Sequence, residues 1–274
     1  MNSNNEASPS LGVSPIFGRP SPASDLPWLM APRTAGQAGI RADWADTDWC
    51  ALRVASVVGV RHRVAARSVE DSWAWDGDDE RVVLAVADGL GSFGDSAPVA
   101  AAVAAGAVAQ LAGGETDLLA AVASVNEAVS GFEEGKATLV MATVTREGSV
   151  ELVRVGDSTA FTLCKDTWTE LFGSGDAEDE GMQALATPAL PSAEPAIEVA
   201  RCDLRPGEVL VLVTDGVGDP LRDGPTTVAP GLAAGLSAPP HPLVLAAQTD
   251  FSRQGCGDDR TLLGLWFGAG SVTP

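Results

Sequence analysis

The sequence predicts an α+β fold built on stacked antiparallel sheets. Three observations carry this. Short β-branched stretches alternate with turn signals from residue 52 onward, helical patterns fall only at intervals between them, and one pair of strands is joined by a connection of hairpin length. Strict βαβ alternation, which would call for a parallel sheet, is missing.

The predicted strands are Arg53 to Val60, Arg81 to Ala87, Thr138 to Thr145, Val150 to Val155, Thr159 to Cys164, Glu208 to Thr214 and Thr261 to Phe267. Arg146, Glu147, Gly148 and Ser149 join the third to the fourth as an antiparallel hairpin. Helices are predicted over Ala97 to Ala112, over Asp117 to Gly131 with Leu118, Leu119, Val122, Val125 and Val129 near one face, and over His241 to Arg253. Residues 173 to 195 read as a long polar loop. Residues 1 to 45 read as a disordered or loosely attached tail, rich in Ser, Pro, Asn and Gly, leaving 46 to 270 as one catalytic domain.

Composition narrows the function. A chain of 274 residues that is 45% apolar has material for a sizeable core. With 17 basic against 37 acidic side chains the net charge is -20, which repels a polyanion, so nucleic acid is not an expected partner. The longest apolar run, Pro98 to Ala112, falls short of the roughly 20 residues needed to span a bilayer, so no membrane segment is expected. The amino terminus carries no secretory pattern, and the cytoplasm is the expected compartment. The 4 cysteines show no metal-ligand spacing and read as reduced, mostly buried thiols.

The chemistry lies in carboxylates. Asp88, Asp157, Asp215 and Asp258 each sit in a turn beside an apolar strand and beside a glycine, and Glu70 and Asp71 follow the first strand. One Asp-Gly after a strand is ordinary turn chemistry. Repeated at several strand ends, it would gather acidic groups at one edge if those ends converge, and such a cluster needs cations to neutralise it. Hard oxygen donors suit magnesium or manganese. With only His62 and His241 in the chain, a histidine-activated nucleophile has little material, and both histidines read as packing or surface residues.

The ordered segments GVRHRVAARSVEDSW, VLAVADGLGS, ATLVMATV, VRVGDSTAF, VLVLVTDGVGD and GDDRTLLGLW resemble the successive motifs of the metal-dependent protein phosphatases of type 2C, over about residues 54 to 267. The resemblance implies two stacked antiparallel sheets flanked by helices, with two divalent cations, Mn2+ or Mg2+, at one end. It further implies that Asp88 bridges both cations, that Gly89 adds its carbonyl, that Asp215 and Asp258 complete one site and that Glu70 serves the other. Asp71 would orient a water, and Asp157 and Asp219 would join Asp215 around a third cation. Arg63 and Arg67 are candidates to bind phosphate, and Thr138 resembles the second Thr of the family's GTT motif. Many eukaryotic relatives have a histidine after the Asp-Gly pair; here Leu90 stands there. The activity implied is hydrolysis of phosphoserine or phosphothreonine by a monomer acting on a phosphorylated protein. A phosphatase-like binding module without turnover and a small-molecule phosphoesterase are the alternatives.

Overall fold

The computed structural model describes residues 39–173, 187–222 and 228–269. Its strands form two wholly antiparallel sheets. One has the order β1 (Ile40–Asp46), β2 (Cys50–Val57), β11 (Arg260–Phe267), β10 (Val209–Val213), β7 (Thr159–Cys164), β8 (Thr167–Glu170). The other has the order β3 (Ser72–Gly77), β4 (Arg81–Ala87), β5 (Leu139–Thr145), β6 (Ser149–Val155), β9 (Glu198–Asp203). The expected α+β class with two stacked antiparallel sheets is what the chain adopts.

Side-chain parity along each strand sets the layers. On β4, Val82, Leu84 and Val86 point between the sheets, meeting Val54, Leu210, Leu212, Leu263 and Leu265. Val83, Ala85 and Ala87 point the other way, under α2 (Ala97–Ala112) and α3 (Leu118–Val129). On the far side, Val209, Val211, Val213 and Leu262 pack beneath α4 (Asp215–Arg222), α5 (Ala229–Gly235) and α6 (Pro242–Thr249). The central strands are therefore covered on both faces, which is why they read as continuous apolar runs. The small side chains of α2 let that helix lie close on the sheet, and Asp117 caps α3 by accepting the Leu119 amide at 2.9 Å.

The predicted hairpin forms, Val144 opposite Val150, with Gly148 at φ +93° in its turn. Several expectations are corrected. The first central strand runs Cys50–Val57 rather than 53 to 60, because Val60–Val64 form the short helix α1. Of the apolar face expected on the second helix, the structure leaves Leu119 exposed. Residues 40 to 45, assigned to the tail on composition, belong to β1 and pair along β2, so the boundary at 45 falls inside a sheet; residues 1 to 38 lie outside the described residues. Of the loop placed at 173 to 195, residues 174 to 186 are likewise outside them. The four cysteines are free thiols, but only Cys50 is buried; Cys164 is exposed and Cys202 and Cys256 are intermediate. No helix among the described residues is long and apolar enough to cross a membrane.

Candidate metal centre and phosphate cleft

Four chain segments reach one end of the sandwich. Asp88 follows β4, Asp215 opens α4 just beyond β10, Asp258 precedes β11, and α1 with the segment after it brings Arg61, His62 and Arg67. Asp88, Gly89, Asp215 and Asp258 line a single cleft of about 420 Å³ together with Arg61, His62, Arg67 and Leu90. A second cavity, of about 520 Å³, shares the Arg61, Asp215 and Asp258 wall and extends to Asp219, Arg222 and Arg253.

Hydrogen bonds from neighbouring segments hold Asp88 and Asp71. The Thr138 amide donates to the Asp88 carbonyl at 2.9 Å and the Asp88 amide donates to Thr138 Oγ1 at 3.1 Å. Thr138 Oγ1 pairs in turn with Ser158 Oγ at 2.6 Å, so the Thr is a brace for the Asp88 backbone. Asp71 is buried behind Asp88, and its Oδ2 accepts from Thr214 at 2.9 Å and Thr261 at 2.8 Å. Asp259 is the residue the sequence reading passed over. Its Oδ1 accepts the Gly59 amide at 2.6 Å, and its Oδ2 accepts the Glu70 amide at 2.6 Å and lies 2.9 Å from His62 Nδ1. One buried carboxylate thus clasps the start of β11 to the segment around α1.

The remaining candidates divide. Glu70 stands one layer back, in an adjoining cavity with Arg67; its Oε1 is paired with Arg67 Nη2 and its Oε2 faces His62. Asp157 accepts from Thr187 at 3.2 Å, and Asp219, exposed on α4, pairs with Arg222 at 2.8 Å; both charges reach Asp215. Arg63 does not line the cleft: its Nη2 goes to the Val58 carbonyl at 3.1 Å and to Asp250 at 3.4 Å. The arginines that do are Arg67 and Arg61, the latter 3.4 Å from Asp258. His62 is neither a surface nor a plain packing residue. Arg61 and His62 had no signal in the sequence, since only the turn of α1 swings them inward.

The crowding of acids raises their proton affinity. Burial, followed by the charge of Asp259, pushes Asp71 up to about 8, and burial, followed by Asp157, Asp258 and Asp219, pushes Asp215 up to about 7. Asp88 is driven well above the usual carboxylate range by burial and by Asp71 and Asp215, and burial also raises Asp157 and Glu70. Buried oxygens of Glu70 (Oε2), Asp71 (Oδ1), Asp157 (Oδ1) and Asp215 (Oδ1) have no hydrogen-bond donor. Among the described residues no three His, Cys, Asp or Glu side chains are grouped so as to enclose an ion as they stand. The fit to divalent cations is therefore one of donor chemistry and unsatisfied lone pairs: hard oxygens, converging, short of positive charge.

These shifts predict a pH dependence. An unfolded Asp loses its proton near 4, whereas folded Asp215 and Asp71 lose theirs near 7 and 8, so folding takes up protons in between and stability falls as pH rises through that window. Chelated protein should melt about 5–10 °C lower at pH 8 than at pH 5, a few kcal/mol for a domain of this size. Added Mn2+ should recover the loss at pH 8. A melting temperature flat across the window would mean that the acids are not crowded.

Comparison with known proteins agrees with this architecture. No curated protein matches the chain. The photosystem II phosphatase PBCP is similar in structure, with a TM-score of 0.61 at 16% identity, over 84% of this chain and 100% of that one. The PPM Ser-Thr phosphatase MsPP from Mycobacterium smegmatis gives 0.57 at 18% identity, over 85% and 100%. The catalytic domain of the serine threonine protein phosphatase PstP, in complex with two manganese ions, gives 0.53 at 22%, over 82% and 96%. At these identities the likeness is one of fold. The family profile described as Protein phosphatase 2C matches residues 58–238, more than half of the 274. By that match, and with the sandwich and its acidic end in agreement, the chain belongs to the protein phosphatase 2C family.

Proposed function

We propose that this phosphatase-family chain hydrolyses phosphoserine and phosphothreonine on proteins, using two divalent cations, Mn2+ or Mg2+, with a third near Asp157 and Asp219. The observation that carries the reading is the single cleft lined by Asp88, Asp215 and Asp258 beside Arg61 and Arg67. Asp88, Gly89, Asp215 and Asp258 would hold one part of the metal pair and Glu70 the other. When bound, such cations supply a water of lowered pKa and neutralise charge on the phosphoryl oxygens. The chain's own groups do the rest. Arg67 and Arg61 offer guanidinium donors to the phosphate, Asp71, buried behind Asp88 and fixed by Thr214 and Thr261, would help orient a cation-held water, and the Thr138 brace keeps Asp88 from turning away. Four free thiols agree with action in the cytoplasm.

A second reading, a phosphatase-like module that binds metal or a partner without turnover, draws on the Arg67 to Glu70 ion pair, which occupies one oxygen of a needed ligand. Phosphate release from a phosphoserine peptide, with Mn2+ and with chelator, separates the two. The expected result is turnover that chelation reduces to the uncatalysed level. Equal release in both samples would end the metal-dependent reading, and Mn2+ binding without release would favour the binding module. A preference for para-nitrophenyl phosphate over every phosphopeptide would point to small-molecule substrates instead.

A further inference from the structure

His62 has two carboxylates, one at each ring nitrogen. Nδ1 lies 2.9 Å from Asp259 Oδ2, while Nε2 lies 3.8 Å from Glu70 Oε2, too far for a hydrogen bond. Asp259 already accepts two backbone amides, from Gly59 and Glu70, so it is anchored as an acceptor and holds the ring with Nδ1–H pointing at it. That tautomer leaves a lone pair on Nε2. A carboxylate behind an imidazole is the arrangement that orients histidines toward metals.

Two further observations mark the point that Nε2 faces. Glu70 is 3% exposed, and its Oε2 has no hydrogen-bond donor at all. Gly91 is bare beside them: a Cβ there would stand 3.2 Å from Glu70 Oε2 and 3.6 Å from His62 Nε2. The Gly91 backbone is not in the left-handed region, so it is the space and not the backbone that asks for glycine. Arg67 holds the other oxygen, Oε1, through Nη2, and its Nη1, 3.9 Å from that same Cβ position, forms the third wall of the space.

We propose that His62 Nε2 and Glu70 Oε2 are ligands to one divalent transition-metal cation, making the Glu70 side of the centre a mixed nitrogen and oxygen site. The inference rests on the metal-dependent reading above but adds a donor that none of the acidic turns supplies. An imidazole donor shifts preference from Mg2+ toward Mn2+, Fe2+, Co2+ or Zn2+, because magnesium favours oxygen. His62 and Glu70 leave the remaining positions to neighbouring carboxylates, solvent and substrate.

The test is spin-echo modulation on the full chain loaded with Mn2+, which detects a coordinated imidazole nitrogen directly. Wild type should show nitrogen coupling and His62→Gln should lose it, whereas His241→Gln, at the one other histidine, should keep it. Calorimetry should find Mn2+ affinity reduced about 10-fold or more in His62→Gln, while Mg2+ affinity changes less than about 3-fold. Mn2+ bound to wild type without nitrogen coupling, or an unchanged ratio of Mn2+ to Mg2+ affinity in the variant, would overturn the proposal and leave phosphatase activity untouched. Failure of Mn2+ to bind at all would overturn this inference and the metal-dependent reading together. The wild-type spectrum decides even if His62→Gln folds poorly.

Discussion

Asp88→Asn should lower Mn2+-supported phosphate release at least about 10³-fold, beyond what loss of a single donor to transition-state charge usually costs. The same change should raise the melting temperature of the chelated protein. Asp88 stands against Asp71 and near Asp215, and burial makes each of these charges costly without a cation. A neutral amide keeps the shape, relieves the repulsion and forfeits the ligand. Activity and metal-free stability therefore move in opposite directions, as expected of a group held in place for function at the expense of stability. Phosphate assays and thermal melts on the same preparation check both. A variant retaining a tenth of the wild-type rate would remove Asp88 from the centre.

Gly216→Ala carries the second large effect. A Cβ at 216 would lie 1.9 Å from the Asp259 carbonyl oxygen, a contact with backbone that no rotamer relieves. Either α4 or the 257–259 turn has to move, and these carry Asp215 and Asp258. The overpacking costs on the order of 3 kcal/mol. A displacement of about 1 Å between the two carboxylates is enough for a loss of about 10²-fold in turnover. Gly131→Ala, which meets nothing within 4 Å, is the matched control and should fall within about 0.5 kcal/mol of wild type. Denaturant midpoints and initial rates on both variants test this; a neutral Gly216→Ala would show that the turn yields freely.

What the sequence allowed to be read was set by burial. β4, β5, β10 and β11 are apolar on both faces, so β-branched runs mark them, and the long helices α2 and α3 announce themselves by length and apolar content. The edge strands escaped: β9 (EVARCD) and β3 (SWAWDG) bury little on one side, and their polar residues look like loop. α4 escaped because DGVGDPLR, with two glycines and Pro220, has the composition of a turn, yet Thr214 starts it by accepting the Val217 and Gly218 amides. Among site residues, strand-end aspartates next to glycine were legible from local pattern. Asp259 and His62 were not, because their roles exist only across 197 positions of chain. Arg63 and Arg67 could not be told apart by spacing, since a single turn of helix decides which one faces the cleft.

The place of β11 has a consequence for biosynthesis. It lies between β2 and β10, although it is the last of the described strands to leave the ribosome. Until residues 260 to 267 emerge, β2 and β10 each present an unpaired, apolar edge with a strand-wide gap between them. The growing chain is thus open to sticking through those edges from the time β10 emerges until β11 follows it. Chains stalled before residue 260 should be captured by holding chaperones, and extension past residue 267, not dilution, should be what makes them fold.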